Sequence, residues 1–362
     1  MGLRFYFLSF VFIFHPANAE PATALIKSGS MLEKNLQLPS GFQYQTIASD
    51  SIPARPDMNV LSPDGRFLYT SHEIFDQKIC GHSPSLSRID LVTNTRTILI
   101  KGICAADGLK WTPWNTLLLG QEKGDGLIYE VDPDNGKYVT RARLGTFAHE
   151  GIAITPDGIV YLADEHSQGA IYKFIPDHVL TTDSLASGTL YALSSTGWIT
   201  IDHPENARQE SIEKGAVSFN RPEDMEAGPD GKIYIAVTGE DRVIRIDDSG
   251  EKPVISDFIK AESGIRNPDN LVFHPNGDLY ILQDIPKYWQ YMNLRTNGIW
   301  IARPDKNNDN TADEIILFAR WAPVTTEPSG AVFSSDGKFM YINKLENDST
   351  TTGATLRVTG FR

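Results

Sequence analysis

SPDGRFLYT (Ser62 to Thr70), TPDGIVYLA (Thr155 to Ala163), GPDGKIYIA (Gly228 to Ala236), HPNGDLYIL (His274 to Leu282) and SSDGKFMYI (Ser334 to Ile342) repeat one pattern: a turn, Asp or Asn, Gly, then an alternating strand carrying Tyr. TPWNTLLLG (Thr112 to Gly120) is a sixth, degenerate copy. Asp-Gly or Asn-Gly between apolar runs signals a hairpin with a two-residue turn, which needs positive φ. Asp64 and Asp336 lie 272 positions apart, five intervals of about 54 residues each, which suits a four-stranded propeller blade and exceeds most helical or leucine-rich repeats. Six copies predict an all-β, six-bladed β-propeller. No stretch sustains a helical period, so helices should be few and short.

The repeat fixes a register outside the turns as well. Seven residues before the turn Asp or Asn stand Asp57, Glu150, Glu223, Asp269 and Ser329, and Asp107 takes the place in the degenerate copy with one inserted residue. Two positions earlier are Arg55, Arg221, Asn267 and Glu327, each followed by Pro. A second set, Glu73, Glu122, Glu165 and Asp284, stands four residues past the Tyr or its equivalent, with His72 and Asp164 one place earlier. Equivalent positions of a propeller share a ring about its channel, so these carboxylates should converge, and converging carboxylates need cations to coexist. The candidate metal ligands are Asp57, Glu73, Glu122, Glu150, Asp164, Glu165, Glu223, Asp269, Asp284 and Glu327. Arg221 and Arg55, beside the ring, are candidate phosphate binders, because a guanidinium can hold two phosphate oxygens at once. Their alternative role is a structural ion pair with a ring acid. His72 and His149 are read as ligands, proton donors or hydrogen-bonded neighbours of the acids.

A separate hydrophilic loop places Asp305, Asn307, Asp309, Thr311 and Asp313 at alternate positions, as calcium loops do, although it lacks a Gly at the sixth place. It is expected to clip a long insertion with calcium.

The whole chain of 362 residues is 41% hydrophobic and 22% charged, ample for a core. Its 33 Lys and Arg against 46 Asp and Glu give a net charge of -13, which repels a polyphosphate backbone and argues against nucleic acid. Met1 to Arg4 are positive, Phe5 to Phe14 apolar, and Ala17-Asn18-Ala19 offers small residues for cleavage, so residues 1–19 read as a cleaved signal peptide. The remainder, 20–362, should be one propeller domain, a monomer, secreted or periplasmic; no later run approaches the roughly twenty apolar residues of a membrane span. Export and an even count favour a disulfide between Cys80 and Cys104, with a free thiol or a thiolate metal ligand as alternatives.

Several motifs taken in order resemble the PhoX-type alkaline phosphatases: Thr112-Pro113-Trp114-Asn115-Thr116 with Gln121-Glu122, Gly145 to Gly151, Asp164-Glu165 with Ile171 to Phe174, Phe219 to Asp224, Pro268-Asp269-Asn270, and Glu327 to Gly330. The resemblance runs from about Glu73 to Phe333. It implies an exported six-bladed propeller that hydrolyses small phosphomonoesters with calcium together with iron. By motif, Glu122, Glu150, Glu223 and Asp269 would be metal ligands, with Arg221 on the phosphate and Arg221 and Glu223 central to catalysis. The family's cysteine near the Thr-Pro-Trp motif stands further upstream here, as Cys104, and its paired glutamates appear as Gln121-Glu122. The competing readings are a calcium-dependent lactonase of the gluconolactonase or paraoxonase kind, which Asn270 beside Asp269 would suit, and a non-catalytic secreted calcium-binding propeller.

Overall fold

The computed structural model describes residues 36–49, 55–181, 183–286, 296–322, 326–346 and 353–362. The signal peptide expected at 1–19 lies outside them. Six antiparallel sheets form six blades, four with four strands and two with a fifth. Their innermost strands are Pro56–Leu61, Ala106–Trp111, His149–Ile154, Pro222–Ala227, Pro268–Phe273 and Thr326–Phe333. The last blade has three strands from the C-terminal repeat, and Gln43–Ser49 supplies its fourth by pairing with Ala354–Thr359. Gln43–Ser49, ahead of the first blade, and the C-terminal strand thus share one sheet, which ties the first blade to the last.

Each repeat phrase forms the hairpin between the first and second strands of its blade, but the turns are longer than two residues. In the first copy Gly65 N–H donates to Ser62 C=O at 2.8 Å and Ser62 N–H to Phe67 C=O at 2.8 Å. The loop is thus a four-residue turn in which the Gly is left-handed; Gly158, Gly231, Gly277 and Gly337 repeat it. A two-residue turn would need an N–H that Pro63 lacks, and Pro fits the second place of a type I turn, but Ser335 in the last copy takes the same turn, so Pro favours this turn without being required for it. In the degenerate copy Asn115 takes the left-handed position, at φ 64°, as Asn tolerates.

The Tyr of each phrase, at 69, 161, 234, 280 and 341, is buried. Tyr69 Oη reaches the Pro133 carbonyl at 3.2 Å and Tyr161 Oη donates to Asp248 at 2.6 Å, each in the following blade. These rings fill the space between blades while their polar tips stay bonded. Two short α-helices occur among the described residues, Gln77–Cys80 and Ala207–Glu213. The second lies, with a fifth strand, in the longest interval between repeats.

Candidate metal and phosphate site

The ring acids occupy the same place in every blade. Asp57, Asp107, Glu150, Glu223 and Asp269 are each the second residue of an innermost strand, and Ser329 follows Pro328 in the sixth. All six are buried. In every blade the pairing between first and second strands shifts immediately past this position. A bulge there re-aims side chains that strict alternation would send elsewhere.

A second recurrent bond fixes the outer acids. The backbone N–H groups of Glu73, Glu122, Glu165 and Asp284 donate to the carbonyls of Arg55, Ala105, Ala148 and Asn267, at 3.0, 2.8, 3.1 and 3.1 Å. Blade four has Thr238 in this role, donating to Arg221 C=O at 2.9 Å, and its hydroxyl donates to the Glu223 carboxylate. Four of the carbonyl-bearing residues, Arg55, Ala105, Arg221 and Asn267, have φ of 22°, 48°, 54° and 44°. Such left-handed backbone is costly for residues with a Cβ and persists where the surroundings dictate it. Thr238 holds the register position four residues past Tyr234, where four of the other blades carry an acid, so the spacing marks it although its residue type does not.

Together these side chains wall a cavity of about 220 Å³ lined by nine carboxylates, Asp57, Glu73, Asp107, Glu122, Glu150, Glu223, Asp269, Asp284 and Glu327, with Arg55, Arg221, Asn270 and Phe75. Three sets bring carboxylate oxygens within 4.8 Å of one another: Asp57, Glu73 and Asp107; Glu122, Glu150 and Glu165; and Glu150, Glu223 and Asp269. Two guanidiniums answer this charge. Arg55 Nη2 lies 2.5 Å from Glu73, and Arg221 places Nε 2.5 Å from Glu165 and Nη2 2.5 Å from Glu223. Burial and the adjacent Glu73 push Asp57 up to about 7. Burial pushes Glu223 up to about 8 against the pull of Arg221. Burial and like-charged neighbours raise Asp107, Glu122, Glu150, Asp269 and Glu327 well above the usual carboxylate range. Burial raises Asp284 too, against the opposing charge of Arg221. Without cations the cavity keeps protons on several of these acids; cations would displace them.

Not every candidate reaches the cavity. Asp164 is buried on the other side of its strand end, where Arg208 Nε donates to it at 2.7 Å, because strand alternation turns it away from the side that Glu165 faces. His72 Nε2 is 2.8 Å from Ser87 Oγ. His149 Nε2 is 3.1 Å from the Gly145 carbonyl, its ring lies 3.9 Å from that of Phe147, and burial pushes it down to about 3. Both histidines are buried, and neither lines the cavity. Asp224, next to Glu223, faces Lys110 at 3.7 Å and accepts from Leu271 N–H of the next blade at 2.9 Å. It fixes the bulges of blades four and five relative to each other.

The donor set of the cavity is all oxygen, which fits calcium. Cys104 is bonded to Cys80, with Cα atoms 5.2 Å apart. In the 305–314 loop, Asp305 accepts from Asp309 N–H and Asn310 N–H at 3.0 Å each and from Arg245 Nη2 at 3.1 Å. Asp309 accepts from Thr311 N–H at 2.9 Å. Arg245 already places a positive charge beside this loop.

The molecule is thus a six-bladed propeller with a cavity that concentrates carboxylates and two arginines, in which three carboxylate groups could hold a metal ion. A family model described as alkaline phosphatase PhoX matches residues 115–253 and 247–346, and the chain belongs to this family of phosphomonoesterases. Among solved structures it is similar to Pseudomonas fluorescens PhoX in complex with vanadate, a transition state analogue (TM-score 0.74, 16% identity, 93% of this chain and 97% of the other covered). It is less similar to a gluconolactonase from Xanthomonas campestris (TM-score 0.57, 12% identity, 88% and 89% covered). No curated protein sequence matches the chain.

Proposed function

We propose that this cavity hydrolyses small phosphomonoesters, with calcium held by the three carboxylate sets and Arg221 as the phosphate clamp. The observation that supports this best is Arg221 itself: a partly exposed guanidinium on the cavity wall, positioned there by its ion pairs with Glu165 and Glu223. When bound, cations supply positive charge that offsets the carboxylates, the phosphate and the developing alkoxide. Glu122, Glu150 and Glu165 form one ligand set; Glu150, Glu223 and Asp269 form another; Asp57, Glu73 and Asp107 form the third.

In hydrolysis a water oxygen bonds to phosphorus, the bond from phosphorus to the alcohol oxygen breaks, and the alcohol leaves with a proton. Arg221 orients two phosphate oxygens for this displacement, while Arg55 stands second in line on the Glu73 side. Cations drawn to Glu165 and Glu223 weaken the ion pairs that now occupy Arg221 and so release it toward phosphate. Metal and phosphate binding should therefore reinforce each other. An iron ion in this cage would rest on carboxylates alone. The lactonase reading needs fewer charges and no arginine, and a cavity of nine carboxylates with two guanidiniums disfavours it.

The protein acts outside the cytoplasm, secreted or periplasmic, as a monomer cleaved after Ala19, with a structural calcium at 305–314. Purified mature protein should be assayed with added calcium, and with calcium plus iron, against p-nitrophenyl phosphate, a phosphodiester and a lactone. Turnover confined to the phosphomonoester supports the proposal; lactone opening in calcium without phosphatase activity refutes it.

A further inference from the structure

Of the thirteen side chains lining the cavity, twelve are ionisable or amide; the exception is Phe75. Single exposed apolar residues are ordinary on a protein surface. Phe75 differs in two respects. Its ring is 49% exposed while forming part of the wall of a highly charged cavity. Its backbone is also held on both sides. Before it, Ile74 is buried and its carbonyl accepts from Ala105 N–H at 3.0 Å, while Glu73 N–H donates to Arg55 C=O. After it, the Asp76 carboxylate caps the helix Gln77–Cys80 by accepting from Lys78 N–H at 2.9 Å, and Cys80 is bonded to Cys104. Ser83 Oγ donates to Ile79 C=O at 2.9 Å and closes the segment. The ring therefore sits on a braced loop, so ordering it costs little when a ligand arrives.

We infer that Phe75 selects the leaving group: it is a platform for a planar aromatic ring on the alcohol side of the ester, while the phosphate faces the carboxylates and arginines. The inference rests on the proposed phosphatase reading of the same cavity. A ligand that fits is charged at one end and flat and apolar at the other, as aryl phosphates and nucleoside monophosphates are. Ring-on-ring contact beyond simple burial is worth about twofold to tenfold in affinity. Adding the apolar area removed from water brings the expected discrimination to about tenfold.

The test compares wild type, F75A and F75W after loading with calcium and iron. Calorimetry measures binding of phenylphosphonate against methylphosphonate, neither of which carries a hydrolysable ester. Turnover is compared among p-nitrophenyl phosphate, adenosine monophosphate and glycerol 3-phosphate, which separates aryl from nucleoside leaving groups. The expected result is a phenylphosphonate preference of about tenfold in wild type and F75W that collapses toward unity in F75A, with the turnover ratio of the aromatic esters over glycerol 3-phosphate falling by about tenfold from wild type to F75A. An equal preference in F75A and wild type overturns the inference and leaves the phosphatase reading standing. If wild type binds neither phosphonate and turns over no ester, the phosphatase reading itself fails, and this inference with it.

Discussion

Replacing Arg221 with Ala tests the phosphate clamp most directly. Arg221 is 38% exposed, so solvent screens part of its charge, but both partners, Glu165 and Glu223, are less exposed than it is. Removing one aligned donor from a developing oxyanion costs about 100- to 1000-fold in other hydrolases. With partial screening at this mouth, the loss should be about 2–4 kcal/mol of transition-state stabilisation, or roughly 30- to 1000-fold in kcat/KM. The same change removes a counter-charge from Glu165 and Glu223, so calcium should bind R221A at least as tightly as wild type. This separates the clamp from a ligand defect: E223Q should lose bound metal together with turnover. R221K should recover only part of the activity, since a point charge does not reproduce the planar fork. E165Q frees Arg221 from one ion pair but also removes a donor from the set of Glu122, Glu150 and Glu165, so, like E223Q, it should lower metal content together with turnover. The assay is p-nitrophenyl phosphate turnover with metal content measured on each sample. Equal kcat/KM for R221A and wild type would show Arg221 to be an ion-pair partner of the ring acids and nothing more.

Other expectations follow from the same geometry. The raised acids bind more protons folded than unfolded between about pH 4 and 8, so chelated protein should lose stability as pH rises through the values near 7 and 8 of Asp57 and Glu223; a melting temperature that climbs from pH 6 to 9 under chelation would contradict this. Calcium should raise the melting temperature most at the alkaline end, where the carboxylates are charged, and a calcium-independent melting curve would count against both the cage and the 305–314 loop. R208A leaves the buried Asp164 without its counter-charge and should destabilise by about 3 kcal/mol, measured by denaturant unfolding, with metal stoichiometry unchanged. Non-reduced mass spectrometry should find no alkylatable thiol at Cys80 or Cys104, and two alkylatable thiols with stoichiometric iron would reverse the disulfide assignment.

The repeat was legible because a propeller makes the same demand six times. In four blades the buried ring position shows as an acid eight residues before a turn Gly, with Ser329 at that distance in a fifth, and local noise does not imitate such a spacing. The same logic accounts for what the sequence concealed. Asp164 and Glu165 are adjacent acids at one strand end, yet alternation sends one toward Arg208 and the other toward Arg221; only the bulges and the strand-end bonds decide which acid faces the channel. Arg208 lies in the one long insertion, outside the repeat, so no spacing pointed to it. The Asp-Gly pair signals a hairpin but not its length, which is the same where Pro63 or Ser335 precedes the Asp. Phe75 carried no periodic signal, since it belongs to a connecting loop whose length varies from blade to blade. Repetition thus exposes the part of the site that binds metal and phosphate, which every blade helps to build. The part that would distinguish one ester from another sits in a single loop, and only the three-dimensional path from Glu73 to the Cys80–Cys104 bond brings it to the cavity wall.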